Sequence, residues 1–239
     1  LASETPDCEI VVVDNGSTDD TPRLLRARFG DRVTVLENGI NLGPAAARNR
    51  GAARCRGDYL GFLDNDTIVH PAWARAARAL LESDATIGAV QCKLLLASDP
   101  SRIDYVGEYL GQNGFLVQKA PAGARDEGQY DDRSEILAAK SAGMFIRRSV
   151  FEAIGGFDED YFIYLEETDL GWRTWLQGFR VVLEPGSMVY HHFGGSAVTL
   201  GARAVNFNAK FHGCKNYLLT LLKNLGRAAL LQILPGHAA

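Results

Sequence analysis

The 239-residue chain is 46% hydrophobic and 23% charged, an ordinary globular composition that allows one large α/β domain or two small ones. Its net charge of −4 argues against a nucleic-acid partner, and no run of about 18 apolar residues is present to span a membrane. The four cysteines form no CxxC pair, which argues against a zinc site or a disulfide scaffold and favours a reducing, cytoplasmic compartment.

Charge is distributed unevenly along the chain. Five basic residues and no acidic residues follow position 200, which leaves about −9 for the first 200 residues. Because apolar residues are interleaved with these basic ones, residues 201–239 could lie on an anionic membrane surface. The alternative is a packed C-terminal helix with a solvated basic face.

The first half of the chain alternates short apolar runs with helical patterns. Strands are predicted at 9–13, 33–36, 59–63 and 87–92, and helices are predicted near Pro22, Pro44 and Pro71. Strands and helices that alternate at this spacing predict a mostly parallel, doubly wound sheet.

The pattern fades in the middle of the chain and then returns. Residues 99–133 are rich in Gly, Asp, Glu and Gln, and we expect a long loop there. Beyond it, strands are predicted at 141–147, 181–183 and 188–190, and helices at 149–154 and 166–177, the second capped by Gly178.

Acidic side chains follow two predicted strands at their carboxyl ends. Asp14 follows the first strand, and Asp64 and Asp66 follow the strand at 59–63. Open α/β sheets place their ligands at this end of the strands. Two carboxylates so close repel each other unless a cation neutralises them, and a divalent metal that carries a phosphorylated ligand would do so. Asp also favours caps and turns, which is the alternative for all three positions.

A third acidic group stands at the start of the helix predicted at 166. Glu166, Glu167 and Asp169 lie in its first turn, where acidic residues often serve only to complement the helix dipole. The preceding residues, 157–164, mix aromatic with acidic side chains, and such a mixture can wall a pocket in which a carboxylate acts as general base. His191 and His192 end the last predicted strand, either as core residues or as metal ligands.

Three strings, at 12–19, 41–49 and 62–66, resemble family 2 glycosyltransferases of the GT-A fold. A later string, at 141–173, is similar to the rhamnosyl- and galactofuranosyl-transferase-like branch of that family. The match runs in order over nearly the whole chain. It implies an α/β GT-A fold with a mostly parallel sheet flanked by helices, here without the strand and helix with which the family usually begins.

The resemblance implies roles at the donor side of the site. Asp14 matches the position that hydrogen-bonds the nucleotide base, Arg48 matches a basic residue near the nucleotide, and Asp64 matches a residue near the ribose. Asp66 matches the ligand of Mg²⁺ or Mn²⁺, and His191 matches a residue that completes the metal or diphosphate site.

The resemblance also implies roles at the acceptor side and a reaction. Glu166 and Glu167 match the family's acidic dyad, with Glu167 at the place of the catalytic base, where Asp is commoner. Acceptor contacts are implied for Asp169 and Trp172, with the alternative that Asp169 orients the base. The implied reaction is an inverting transfer of a sugar from a UDP- or dTDP-sugar to a hydroxyl of a glycan or lipid-linked acceptor, in cell-surface polysaccharide synthesis.

The resemblance implies a division of the chain as well. Residues 1–200 would form the catalytic domain, with a nucleotide-sugar half at about 1–98 and an acceptor half at about 99–200. Residues 201–239 would form the basic helical segment, with a peripheral position on the inner face of the membrane.

Two alternatives to an active transferase remain open at the level of sequence. The run Asp64-Asn65-Asp66-Thr67 also fits the nucleophile motif of haloacid-dehalogenase-like phosphatases, in which the first Asp attacks phosphate. The other alternative is a sugar- or nucleotide-binding module that has lost catalysis.

Overall fold

The helices follow the predicted pattern closely. A computed structural model of the chain describes residues 8–192 and 202–237, with side chains described for 8–192 and 210–233. The α-helices are α1 (Thr21–Phe29), α2 (Gly43–Arg54), α3 (Trp73–Ser83), α4 (Arg148–Ala153), α5 (Glu166–Leu176), α6 (Ala202–Asn224) and α7 (Arg227–His237). No helix in this part of the chain is both long enough and apolar enough to cross a membrane.

The strands include five that the sequence did not predict. They are β1 (Val11–Asp14), β2 (Thr34–Glu37), β3 (Tyr59–Phe62), β4 (Thr67–Val69), β5 (Ile87–Leu96), β6 (Asp99–Tyr105), β7 (Glu108–Leu110), β8 (Leu116–Gln118), β9 (Ser134–Glu135), β10 (Met144–Arg147) and β11 (Arg180–His191). The unpredicted strands are β4, β6 and the hairpin of β7 and β8, together with the two-residue β9 as a short addition.

The main sheet is mixed. Its central order is β3-β10-β5-β11-β4, with β6 paired to β5 and β9 paired to β11. Strand β11 is parallel to β5, whereas β10 is antiparallel to both β3 and β5. Strands β3, β5 and β11 therefore run in one direction, and the α/β architecture with flanking helices is confirmed. The parallel pair β1 and β2 forms a separate small sheet.

Apolar side chains cover both faces of the main sheet. On β10, Met144 and Ile146 pack into one core cluster, and Phe145 between them packs into another. The first cluster receives residues of α2, α4 and α5, and the second receives residues of α3. Strand β5 is buried over nearly its whole length for this reason, and its residues are apolar apart from the buried Gln91 and Lys93.

The prediction of a long loop at 99–133 was wrong for residues 99–118, which hold β6, β7 and β8, whereas residues 119–133 contain no helix or strand. Strand β6 buries only Ile103 and Tyr105 while most of its other residues are polar, so no apolar run marks it. It forms because β10 pairs with β5 only as far as Gln91, which leaves the end of β5 free to pair with β6. Tertiary pairing has overridden a weak local signal.

Two further strand predictions need correction. The predicted strands at 181–183 and 188–190 are one strand, β11, with a register shift between Glu184 and Met188 where Pro185 and Gly186 interrupt the apolar pattern. The strand predicted at 141–147 begins only at Met144, because residues 141–143 form a short 3₁₀ turn.

Candidate active site

The segment between β3 and β4 carries Asp64 and Asp66. A hydrogen bond to the backbone oxygen of each aspartate fixes it. The Thr67 hydroxyl donates to the backbone oxygen of Asp64 at 2.7 Å, and the backbone N–H of His192 donates to that of Asp66 at 2.8 Å. The second bond exists because β4 pairs antiparallel with the end of β11. The fold therefore brings the two predicted carboxylates next to the predicted histidine.

His191 lies between two aspartates. Its Nε2 is 3.3 Å from Oδ1 of Asp66, and its Nδ1 is 2.8 Å from Oδ2 of Asp104 on β6. The hydrogen bond to Asp104 raises the pKa of His191 above its ordinary value, and the charges of Asp104, Asp66 and Asp64 add to this against the effect of burial. Sequence reasoning missed Asp104, because it lies in the stretch that we predicted to be a loop.

Asp64, Asp66 and His191 form a group with the donor chemistry of a divalent metal site. One potential ligand atom from each of the three lies within 4.8 Å of the other two. Carboxylate oxygens suit Mg²⁺ and Mn²⁺, and imidazole is also a common ligand of transition metals. A carboxylate on the second ring nitrogen of a metal-binding histidine fixes the tautomer and the ring orientation, and Asp104 is placed to do this.

Arg48 connects this group to the acidic dyad. Its guanidinium is 2.6 Å from Oε1 of Glu166, 2.9 Å from Oδ1 of Asp64 and 3.9 Å from Oε1 of Glu167. Burial alone would lower the pKa of Arg48, but the charges of Glu167, Asp64 and Glu166 together raise it. The sequence predicted a nucleotide contact for Arg48, and the structure shows its guanidinium engaged by carboxylates.

The two members of the dyad have different surroundings. The Glu166 side chain is only 4% exposed, and burial, followed by the charge of Glu167, raises its pKa to about 7 in spite of Arg48. The Glu167 side chain is 19% exposed, and its Oε1 accepts hydrogen bonds from the backbone N–H of Ser141, at 2.8 Å, and from the Ser141 hydroxyl. Glu167 is therefore the more accessible carboxylate, and Ser141 is a neighbour that sequence reasoning did not identify.

The two residues predicted to contact the acceptor are covered by protein. The Asp169 carboxylate is bound by Arg173 at 2.6 Å, by the Asn224 amide at 2.8 Å and by the Tyr161 hydroxyl at 3.3 Å. Trp172, on the same helix, is also buried. In this structure Asp169 links α5 to α6.

Asp14 lies in a second polar cluster, at the end of β1. Its carboxylate accepts a hydrogen bond from the backbone N–H of Ser17 at 3.1 Å. The next residue, Asn15, binds Asn41 at 2.9 Å and Asn38 at 2.8 Å, which joins the loops that follow β1 and β2. Gly16 has a φ of +91°, and a Cβ there would lie 2.8 Å from the Ile40 backbone, so the close approach of the two loops requires glycine.

Helix α2 joins the two clusters. The backbone N–H of Gly43, its first residue, donates to Oδ1 of Asn41 at 2.9 Å, and Arg48 follows in the second turn. Asn49 exchanges two hydrogen bonds of 2.8 Å with the backbone of Phe157, which anchors α2 to the chain leading to α5. The predicted donor and acceptor residues thus sit on connected elements.

The chain enters α5 through a strained turn. Phe162, Tyr164 and Leu165 have φ values of 62°, 70° and 67°, a region that costs a non-glycine residue roughly 1–2 kcal/mol. Such positions persist only where surrounding contacts hold them, and they cluster at functional sites. Nothing in the residue types at 162–165 signalled this conformation.

A sheet with acidic groups at the ends of its strands, a candidate metal site and a linked acidic dyad is typical of the ligand sites of α/β enzymes. The model of the family "Glycosyl transferase family 2" matches residues 1–155. The chain therefore belongs to glycosyl transferase family 2, and the haloacid-dehalogenase-like alternative is excluded.

Two of the similar proteins are a rhamnosyltransferase and a protein of O-antigen biosynthesis. The chain is 32% identical over 213 residues to N-acetylglucosaminyl-diphospho-decaprenol L-rhamnosyltransferase of Mycobacterium tuberculosis, covering 80% of this chain and 68% of that one. It is 31% identical over 198 residues to the O-antigen biosynthesis protein RfbC of Myxococcus xanthus, covering 80% of this chain but only 15% of that one.

Solved structures agree with the GT-A fold. A mannosyltransferase from Pyrobaculum calidifontis, in complex with GDP-Man and Mn²⁺, superposes with a TM-score of 0.66 at 19% identity, covering 99% of this chain and 62% of that one. GalNAc-T7 with UDP, GalNAc and Mn²⁺ superposes with a TM-score of 0.61, also at 19% identity, covering 77% of this chain and 37% of that one. At this identity the likeness concerns the fold.

Proposed function

We propose that this chain is the catalytic domain of an inverting glycosyltransferase that moves a sugar from a nucleoside-diphosphate sugar to an acceptor hydroxyl. The observation that carries the proposal is the junction at Arg48, which places a candidate metal group and an accessible carboxylate on either side of one guanidinium. Such a junction puts charge compensation for a leaving group next to a base, as sugar transfer requires.

Asp66 and His191 would hold Mg²⁺ or Mn²⁺, with Asp104 orienting the imidazole and Asp64 close enough to share the ion or to contact the ribose. When bound, the ion would offset the negative charge of the departing nucleoside diphosphate. The Mn²⁺ named for two solved structures of the same fold supports a divalent ion here. Asp14 would bind the nucleotide base from the adjoining cluster.

Glu167 would act as general base. An acceptor hydroxyl loses its proton to Glu167 while its oxygen forms a bond to the anomeric carbon, and the bond from that carbon to the diphosphate oxygen breaks. Attack from the face opposite the diphosphate inverts the anomeric centre and needs no enzyme nucleophile. Ser141 would hold Oε1 of Glu167 in place, and Arg48 would hold Glu166 beside it. Asp169, which is bound by Arg173 and Asn224, would support the helix that carries the base rather than touch the acceptor.

The named relatives support a place in polysaccharide synthesis. One is named as an O-antigen biosynthesis protein, and another as a rhamnosyltransferase whose named acceptor is a lipid-linked diphosphate sugar. We therefore propose a UDP- or dTDP-linked donor and a glycan or lipid-linked acceptor.

The C-terminal helices support contact of the chain with the cytoplasmic face of a membrane. Phe211, Leu222 and Leu231 are exposed apolar side chains on α6 and α7. Lys210 and Arg227 are exposed basic residues on the same two helices. Apolar and basic side chains together suit an anionic lipid surface, and sedimentation with anionic against neutral vesicles would measure it.

A transfer assay tests the central proposal. The full chain is incubated with a panel of nucleotide sugars, Mn²⁺ and lipid-linked or glycan acceptors, and release of nucleoside diphosphate is followed. We expect Glu167→Gln to lower kcat by about 10²–10⁴-fold, the usual contribution of a general base, and Glu152→Gln, at an exposed position on α4, to leave it unchanged.

Two outcomes would contradict the proposal. Full activity in Glu167→Gln would remove the base assignment. Donor binding without any transfer by the wild-type chain, with every acceptor tried, would favour the binding-module alternative.

A further inference from the structure

The strained turn before α5 is held from one side by a single side chain. Asn216 on α6 is fully buried, and its Nδ2 lies 2.9 Å, 2.8 Å and 2.7 Å from the backbone oxygens of Tyr161, Ile163 and Tyr164. The amide offers two N–H donors for three carbonyl oxygens, so its hydrogen-bonding capacity on this side is fully used. An oxygen could not occupy the same place, because it would face three other oxygens.

The contacts of Asn216 coincide with the left-handed positions. Tyr164 is one of the three non-glycine residues with positive φ in the described part of the chain, and Phe162 and Leu165 flank the carbonyls that Asn216 binds. Glu166 and Glu167 follow at once as the first residues of α5. The direction in which α5 starts, and hence the position of both carboxylates, depends on this turn.

The same face of α6 also binds residues on either side of the turn. Thr220 and Asn224 follow Asn216 at intervals of four residues, which places all three on one face of the helix. The Thr220 hydroxyl is 3.0 Å from that of Tyr161, and the Asn224 amide donates to Asp169 at 2.8 Å. On the opposite side of the turn, the start of α2 limits movement, since a Cβ on Gly43 would lie 2.6 Å from the backbone oxygen of Phe162.

We propose that Asn216 is a positioning residue for the acidic dyad: it fixes the left-handed entry to α5 and so sets where Glu166 and Glu167 stand relative to the bound donor. The inference rests on the proposed transferase function. It assigns a part in the reaction to a residue of the C-terminal segment that no acidic, histidine or metal-ligand pattern indicated.

The test compares Asn216→Asp and Asn216→Ala with Ser187→Ala in the full chain. Asp keeps the shape of Asn but replaces the donor by an oxygen, whereas Ala removes the donor without placing a charge or an extra oxygen at this buried position. Ala therefore tests the hydrogen bonds even where Asp fails to fold. Ser187 is an equally buried polar residue whose hydroxyl donates to the Trp73 backbone on the α3 side of the sheet. It controls for the loss of stability alone.

We expect both Asn216 variants to lower kcat by about 10- to 100-fold while the KM for the donor stays within about twofold, because misplaced catalytic groups act on chemistry rather than on donor binding. Ser187→Ala should lower the melting temperature without changing kcat. Unchanged kcat in a folded Asn216→Ala variant would overturn the positioning role.

Hydrogen exchange separates this inference from the proposed function. We expect amide exchange at residues 162–169 to rise in Asn216→Ala and to stay unchanged in Ser187→Ala. If the wild-type chain transfers no sugar, the proposed function fails whatever the exchange shows. If it transfers sugar but exchange at 162–169 is the same in Asn216→Ala, the inference about Asn216 fails alone.

Discussion

Arg48 makes one unit of residues that lie far apart in the sequence. It binds Asp64 and Glu166, and Glu167 is 3.9 Å away, so a change in the charge of any one carboxylate is felt by the others. The sequence predicted each of these residues as a site residue. It could not predict that the arginine would face the carboxylates, because that depends on how α2 and α5 pack.

The raised pKa of Glu166 predicts how stability depends on pH. Its pKa rises from an ordinary value of 4.5 to about 7 in the folded chain, so the folded state holds a proton there that the unfolded state has lost. The stabilisation is complete below pH 4.5 and is lost as the pH rises to about 7. Compared with Glu166→Gln, the wild-type chain should lose up to ~3 kcal/mol of unfolding free energy between pH 5 and pH 8.

Urea unfolding at the two pH values measures this difference. The comparison uses the slope with pH rather than the absolute stability, because Gln also loses the ion pair with Arg48. Parallel pH profiles in the two proteins would contradict the assignment of the titrating proton to Glu166.

Asp104 predicts an effect on metal affinity from a residue that would not touch the metal. Asp104→Asn removes the charge behind His191 while keeping a similar shape, and second-layer changes of this kind cost roughly 10- to 100-fold in metal affinity. Mn²⁺ binding followed by electron paramagnetic resonance measures it. Asp99→Asn, on the exposed start of the same strand, should bind Mn²⁺ as the wild type does, and equal affinity in all three proteins would exclude Asp104 from the site.

At the scale of elements, the sequence predicted those with strong local signals. Helices α2, α3 and α5 and strands β3 and β5 lie where apolar periodicity, prolines and a capping glycine placed them. Strand β6 and the turn at 162–165 escaped prediction for one physical reason. Each is fixed by a partner distant in sequence, the free end of β5 in the first case and Asn216 of α6 in the second.

The packing of α2 against the turn predicts a difference between two glycines of similar conformation. Gly43 has a φ of +83° and Gly155 a φ of +81°, but a Cβ on Gly43 would lie 2.6 Å from the Phe162 backbone, whereas a Cβ on Gly155 meets nothing within 4 Å. We expect Gly155→Ala to cost about 1 kcal/mol of unfolding free energy from backbone strain alone, and Gly43→Ala to cost about 3 kcal/mol or more. Thermal and urea unfolding measure both, and equal costs would contradict the close approach.

At the scale of the whole molecule, the halves assigned from sequence share one sheet. Strand β5, from the predicted nucleotide-sugar half, pairs with β10 and β11 from the predicted acceptor half, and β10 lies between β3 and β5. Helix α6 packs against α5 through Asn224, and its Thr220 contacts Tyr161 just before the strained turn. The C-terminal segment therefore contributes to the support of the acidic dyad as well as to the exposed surface. The boundaries proposed after residues 98 and 200 therefore mark segments of the sequence more than separate structural units.

The excess of carboxylates around Arg48 predicts that the stability of the folded chain depends on the concentration of a divalent cation. Asp64, Asp66 and Asp104 join Glu166 and Glu167 around one guanidinium and one imidazole, so the folded state concentrates negative charge that the unfolded chain disperses. A divalent ion that binds only the folded state stabilises it by about 2.7 kcal/mol at a hundred times its Kd. The melting temperature should thus rise with Mn²⁺ and fall again when a chelator is added, even when no sugar is present.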